Sequence, residues 1–550
     1  MNGTHIRVVA NPSATQHLDD GIVRDGQADH CAVMLGLEVG QVNQTMFRCH
    51  PRPNIVRDRS SRSAQSPIII KVTEMRRRDF IKGAAFAAGT VAASFGNASR
   101  QSIEARLIVD PSRTITTIPS DFMGLGYEIS SVSRPGLLSA KNAVHVQLCR
   151  TLSSSGVIRV GGNTSDYASY APSAKPFSSP ETGPDSIVND AVLRDLGSFL
   201  EATGWKLIWG LNLGRGTAEA AVQEAKAVLA ATRANLFAFE IGNEPDLFPH
   251  KEIHRKKGYN YEEYLLEYRR FRDALRDSIP GIPLAGPDVA VATSWVSKFA
   301  RDEGRDVKLL THHYYREGQN PTSSIAKLLK PDPKLGPLLA ELQAGSKSSG
   351  VPYRICETNS FSGGGKPGVS DRFASALWVL DFMYRLATAQ CGGVNMETGV
   401  NQLGFISSYS PIGDDEHGHY VAAPEWYGML AFAHGASGEL IESELRADNF
   451  NLEAYATLKG HTQLCITLIN KEPSLDIAVN IGGVLPFRNG SVLRLSATSL
   501  ESSSGVSFGG SMVKSDGTWC AATDERIQAS DGMVLLHLPA AGAAVLIMER

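Results

Sequence analysis

The chain has 550 residues, with 54 Lys and Arg against 57 Asp and Glu and 42% hydrophobic residues. That composition excludes a disordered tail, a collagen-like rod and a small disulfide scaffold. A formal charge of −3 gives no electrostatic footprint for nucleic acid, whose binders carry a clear excess of basic residues, and the length exceeds what one hydrophobic core usually supports, so two domains are expected.

Residues 1–74 show no sustained period of 2 or 3.6, and Arg57 to Ser63 is loop-like, so this stretch is expected to be a disordered or misannotated extension. Met75 stands where an initiator would. After it, Arg77-Arg78-Asp79-Phe80-Ile81-Lys82 leads into the uncharged run Gly83 to Ala93 and the small residues Gly96-Asn97-Ala98. A basic start, a modest apolar segment and a small-residue cleavage site make 75–98 a twin-arginine export signal, which implies a periplasmic or extracellular protein. The run is too short and too alanine-rich to anchor the chain in a membrane. The residues after 98 carry 42 Lys and Arg against 49 Asp and Glu, a mildly acidic body. Its five cysteines, Cys149, Cys356, Cys391, Cys465 and Cys520, form no Cys-x-x-Cys pair and read as buried small hydrophobes.

From 121 to 436 short apolar runs alternate with amphipathic segments. The runs are Phe122 to Ile129, Val157 to Val160, Lys206 to Leu213, Phe237 to Gly242, Ile282 to Ala285, Val307 to Tyr315, Tyr353 to Glu357 and Val394 to Glu397. Between several of them lie helical patterns at Thr217 to Arg233, Tyr261 to Arg276 and Asp371 to Ala389. Eight strands in one alternating series predict an α/β fold with a closed (β/α)8 TIM barrel, whose working residues sit at the carboxyl ends of strands. Polar clusters fall there: Tyr127-Glu128, Arg159 to Asn163, Asn243-Glu244, His312 to Tyr315 and Glu357-Thr358-Asn359. From 437 to 550 the texture changes to short strands with Gly and Ser between them, at Leu452 to Leu458, Gln463 to Leu468, Ser491 to Leu495, Gly532 to Leu538 and Ala541 to Met548. With the alternating stretch 103–120 these predict a smaller all-β sandwich domain.

Two glutamates at the ends of strands four and seven, Glu244 and Glu357, suit the hydrolysis of a sugar acetal. One acid protonates the departing oxygen and one carboxylate attacks the anomeric carbon, with the pair about 5 Å apart for retention of configuration. The segments Glu240 to Phe248 and Glu357 to Gly365, followed by Val369-Ser370-Asp371, resemble glycoside hydrolase family 79, the β-glucuronidases and heparanases, in the clan A of retaining barrels. The resemblance spans roughly residues 103 to 550. It implies Glu244 as acid/base, Glu357 as nucleophile, and Asn243 on the sugar 2-hydroxyl. It further implies that Tyr315 orients the nucleophile, His313 lines the sugar pocket and Glu128 binds sugar hydroxyls. A uronic carboxylate would be received by the backbone amides of Gly363 and Gly364 and by the hydroxyl of Tyr409. Ser362 departs from the heparanase pattern, where a tyrosine stands, and implies a more open wall of the sugar site. Arg159 is expected to pair with a rim carboxylate, in a structural or a catalytic role.

The implied activity is an exo-acting β-glucuronidase working on a glucuronide-containing glycan or glycoconjugate by double displacement. The alternatives are a heparanase-like endo-enzyme, a clan A glycosidase for neutral sugars, and a carbohydrate-binding protein without turnover. One basic run, His250 to Lys257, on an otherwise acidic body favours exo action over cleavage of a sulfated polymer. No Walker loop, dinucleotide fingerprint or metal spacing occurs, so no cofactor and no metal are expected. Adjacent His312 and His313 point to opposite faces of a strand and cannot chelate one ion.

Overall fold

The structure, a computed structural model, describes residues 103–175, 177–178, 186–399, 407–414, 419–447 and 449–550. The expected extension 1–74 and export signal 75–98 lie outside the described residues.

Eight parallel strands close into a barrel in sequential order: Gly124–Glu128, Val157–Gly161, Lys206–Leu211, Leu236–Ile241, Leu284–Val289, Leu309–Gly318, Tyr353–Ser362 and Val394–Glu397. We call them strands one to eight. Helices on the outside connect them and start where the sequence supplies an acceptor for their free amides. Asn189 caps Asp190–Thr203, Thr217 caps Ala218–Thr232, and Asn260 forms a reciprocal box with Glu263 at Tyr261–Ser278. Their apolar faces, such as Leu193, Leu196, Phe199 and Leu200, join the strands' outward side chains in one core. Inside, Val157, Ile208, Ala238, Ala285, Leu309 and Cys356, one from each of strands two to seven, form a separate apolar layer. On the side of strands seven, eight and one, Arg354 bonds Asn395 and the carbonyls of Phe122 and Val394. Chemistry is therefore confined to the other mouth of the barrel, where the strands end.

Three strands run several residues beyond the sequence reading. Strand five begins later than Ile282 and continues through Gly286-Pro287-Asp288 to Val289. Strands six and seven run on past Tyr315 and Glu357, because Glu317 pairs with Phe361 and Gly318 with Ser362 in a ladder that outlasts the apolar run. Hydrophobic patterning marks what faces the core, whereas the ladder needs only backbone.

Ten strands form one sheet that includes Ile103–Thr117 and the strands from Glu439 onward. Ile103–Thr117 lies antiparallel to Glu439–Arg446 and parallel to Ile477–Gly482. The sheet curls over a core that holds Leu107, Ile466, Val479, Leu536 and Leu546, giving the sandwich. Helix Phe373–Thr388 docks it on the barrel, with Tyr384 stacked on Tyr455 and Lys471 donating to Asp381 at 2.9 Å. The five described cysteines are all free. Four are buried as expected, but Cys520 is exposed because it lies in the loop between the strands Ser507–Phe508 and Glu525–Gln528.

Candidate active site

Strand four delivers Glu244 through a strained turn. Gly242 has φ 85°, and Glu244 itself sits at φ 49°, ψ 50°, a left-handed conformation that costs a non-glycine residue about 1–2 kcal/mol. Neighbouring strand ends hold it there. The Glu244 N–H donates to the carbonyl of Asp288 at 2.8 Å, and the preceding Asn243 N–H donates to Asp166 at 3.1 Å. Asp246 accepts from the amides of Ala290, Val291 and Ala292. Backbone strain kept in place by such ties is characteristic of functional sites.

Across the mouth, strand seven presents Glu357 with both oxygens held. Arg159 donates to Oε2 at 2.9 Å and the Tyr315 hydroxyl donates to Oε1 at 3.0 Å. The guanidinium of Arg159, fully buried, also donates to Glu240 at 3.1 Å, Asp288 at 2.6 Å and the Asn243 side-chain oxygen at 2.9 Å. Arg159 is thus the ion-pair hub of the interior, deeper than the rim role expected of it.

His313 connects the two glutamates. Its Nδ1 is 3.0 Å from Glu244 Oε1 and its Nε2 is 2.8 Å from Asp288 Oδ1. Burial opposes a charged imidazole, but Asp288 and Glu357 outweigh it and hold His313 well above the ordinary histidine range. Burial likewise works against ionised Asp288, and Arg159 and His313 overcome it, keeping that carboxyl well below its usual value. His313 accordingly donates from Nε2 to the Asp288 carboxylate and from Nδ1 to Oε1 of Glu244, which leaves the other oxygen of Glu244 to carry a proton. A carboxylate oxygen of Glu244, a ring nitrogen of His313 and a carboxylate oxygen of Glu357 all lie within 4.8 Å of one another. That closeness matches the roughly 5 Å spacing of retaining pairs and falls short of the roughly 6.5–9.5 Å that admits a water in inverting ones.

The other expected residues converge on the same mouth. Glu128 turns inward and accepts from the amides of Asn163 at 3.1 Å and Thr164 at 2.8 Å. Burial, reinforced by Glu357, pushes its pKa up to about 7. Asn243 has its oxygen committed to Arg159, and its amide nitrogen donates to Asn163 Oδ1 at 3.4 Å with one N–H left over. Tyr409 stacks on Tyr315 with ring centroids 6.2 Å apart. Gly363 and Gly364 take φ of 78° and 86°, a conformation that favours glycine. Their carbonyls are fixed by Gln319 and by the amide of Ser408, so this loop abuts the segment carrying Tyr409. Their own N–H groups find no acceptor among the described residues. Ser362 lines a pocket together with Glu244, His313, Tyr315, Leu247, Ala290 and Val291. His312 and Tyr314 face away; Tyr314 stacks on Phe382 and donates to Asp332.

Sequence reasoning missed Asp288, Glu240 and Glu397. Asp288 stands one residue before the end of strand five and would have been found had the reading continued past Pro287. The basic run is not one face, because Arg255 folds back onto Glu267 and the carbonyls of Leu213 and Gly214. Two tight groups, Glu240–Asp288–Cys356 and Glu244–His313–Glu357, have donor types that ligate metals. Arg159 supplies the positive charge among them, and both nitrogens of His313 are used.

No family model matches the chain. A β-glucuronidase of Aspergillus niger is 28% identical over 376 residues, 62% of this chain and 68% of the relative. A mouse heparanase is 23% identical over 410 residues, 62% of this chain and 72% of the relative. Among solved structures, a 4-O-α-L-rhamnosyl-β-D-glucuronidase of Fusarium oxysporum shares the fold at a TM-score of 0.68 with 16% identity, covering 80% of this chain and 99% of its own. Fold and relatives together make this chain a clan A glycoside hydrolase. Within that clan it is family 79-like.

Proposed function

We propose that the chain is an exo-acting β-glucuronidase that retains anomeric configuration. Glu357, ionised between Arg159 and Tyr315, attacks the anomeric carbon. Glu244 gives its proton to the departing oxygen as the glycosidic bond breaks. A water then loses a proton to Glu244 and attacks the same carbon, freeing Glu357. The observation that carries this reading is the 4.8 Å limit on the Glu244, His313 and Glu357 group.

Recognition of the glycone rests on Glu128 and Asn243 for hydroxyls and on Gly363, Gly364 and Tyr409 for the uronic carboxylate. Two adjacent amides can bind an anion without a basic side chain. Exo action on an aglycone without anionic groups is supported by the pocket at Glu244, which Leu247, Ala290, Val291 and Glu317 line and no lysine or arginine lines among the described residues. A sulfated polymer would need such cations. The relatives' names support glucuronide chemistry, the β-glucuronidase at higher identity than the heparanase. We further propose export through the twin-arginine-like segment at 75–98; the five free cysteines support a body that folds without disulfides.

Hydrolysis of aryl β-glucuronide, galactoside, glucoside and xyloside tests the reading. The glucuronide is expected to exceed the others by at least ~100-fold in kcat/KM, about 2.7 kcal/mol of discrimination. Preference for a neutral sugar would overturn the carboxylate clamp.

A further inference from the structure

One carboxyl at the active mouth takes no part in the double displacement. Glu397 ends strand eight, is 2% exposed, and pairs with Gly126 of strand one. Its Oε2 lies over the Gly126 backbone so closely that a Cβ there would meet it at 2.5 Å. The missing side chain of Gly126 is what leaves space for the carboxyl. Side chains alternate along a strand, so Gly126 and Glu128 face the same interior, and Glu397 shares it with them. On its other flank, Met396 pairs with Thr358, the neighbour of Glu357. Glu397 therefore stands between the nucleophile and Glu128.

Its neighbours are satisfied and it is not. Glu357 is held by Arg159 and Tyr315, and Glu128 by the amides of Asn163 and Thr164. Neither oxygen of Glu397 has a hydrogen-bond partner among the described residues. A buried polar group in that state is a net cost to folding that an apolar side chain of similar shape would remove. Burial, then Glu357 and Glu128, raise its pKa well above the carboxylate range, so it stands as a neutral acid with one donor and one acceptor.

We propose that Glu397 is a substrate-binding residue of the glycone subsite, its carboxyl hydrogen-bonding a ring hydroxyl of the sugar held between Glu128 and Glu357. The inference rests on the glycosidase reading of Glu244 and Glu357 and adds to it a third carboxyl that reads the sugar. A site built to bond a hydroxyl rejects analogues that lack it, because its own polar group is then left unpaired.

The test uses the full enzyme on whichever aryl glycoside the wild type cleaves fastest, with monodeoxy versions of that substrate and thermal denaturation alongside. Glu397→Leu is expected to lower kcat/KM by roughly 10- to 100-fold, as loss of one such bond does, while its Tm stays level or rises. Glu397→Gln, which keeps a donor and an acceptor, recovers most of that loss. For one monodeoxy substrate the leucine and wild-type enzymes become equal, since the hydroxyl and its partner are then both absent. If Glu397→Leu does not fold, Glu397→Asp withdraws the same carboxyl by one methylene and is read against the same deoxy series. An active wild type with an equally active leucine variant overturns this inference alone. Activity lost together with Tm, with deoxy penalties that simply add, also overturns it in favour of a structural role. A wild type that cleaves no glycoside overturns the parent reading and this one with it.

Discussion

Arg159 reaches Glu357 across the barrel interior, Nη1 to Oε2 at 2.9 Å, with its guanidinium fully buried. The same group carries Glu240 and Asp288, so removing it strands three carboxyls at once. Taking one partner from a buried ion pair typically costs about 3–5 kcal/mol. Arg159→Met should therefore lower stability by at least about 3 kcal/mol and abolish activity. Urea denaturation checks this, and a variant of unchanged midpoint would contradict the hub.

Tyr315 supports the nucleophile through its hydroxyl. Its hydroxyl donates to Glu357 Oε1 at 3.0 Å, while its ring also stacks on Tyr409. Tyr315→Phe keeps the ring and removes the donor. Hydrogen bonds to charged groups contribute about 1.5–3 kcal/mol, so kcat/KM should fall roughly 10- to 150-fold. Steady-state kinetics with an aryl β-glucuronide measure it; a rate within a factor of about two of wild type would remove Tyr315 from the nucleophile's support.

Glu244 acts on the leaving group, so the damage from Glu244→Gln should track how much protonation the leaving group needs. Substrates with poor leaving groups should lose about 10²–10⁴-fold in rate. Highly activated aryl glycosides should lose far less in the first step. A uniform loss across leaving groups would assign the acid role elsewhere.

A buried carboxyl away from the mouth predicts a pH dependence. Glu224 on helix Ala218–Thr232 accepts from Trp209 Nε1 at 2.8 Å, and burial pushes its pKa from 4.5 up to about 7. The folded protein binds this proton more tightly than the unfolded chain. Its contribution is therefore fully present below about pH 4.5 and is lost as pH rises to about 7. At about 1.4 kcal/mol per pKa unit the loss is about 3 kcal/mol. Glu224→Gln keeps an acceptor for Trp209 and removes the titration, so its Tm should exceed wild type at about pH 8 and not at about pH 4.5. Parallel Tm profiles for the two proteins would contradict the shift.

The sequence was most legible where a polar residue directly follows an apolar run. Glu128, Asn243, Glu244, His313 and Glu357 stand at such endings, and all turn toward one mouth. Glu240 was invisible because a charge within an apolar run reads as an interruption, although it faces the interior as Arg159's partner. Asp288 was hidden by Gly286-Pro287, which ends an apolar pattern without ending the strand. The pairing of Arg159 with residues 81, 129 and 198 positions away leaves no trace in periodicity. The sandwich was legible as a set of strands but not as one curled sheet. Glu439–Arg446 carries too many charges to stand out, and the parallel match of Ile103 with Ile477 joins distant parts of the chain.

Double displacement requires Glu357 to attack the sugar directly, and the anomer released first reports that step. Proton NMR of an aryl β-glucuronide during hydrolysis should show β-glucuronic acid appearing first, with the α anomer growing only as mutarotation proceeds. The α anomer appearing first would mean a single displacement by water, and would contradict double displacement by Glu244 and Glu357.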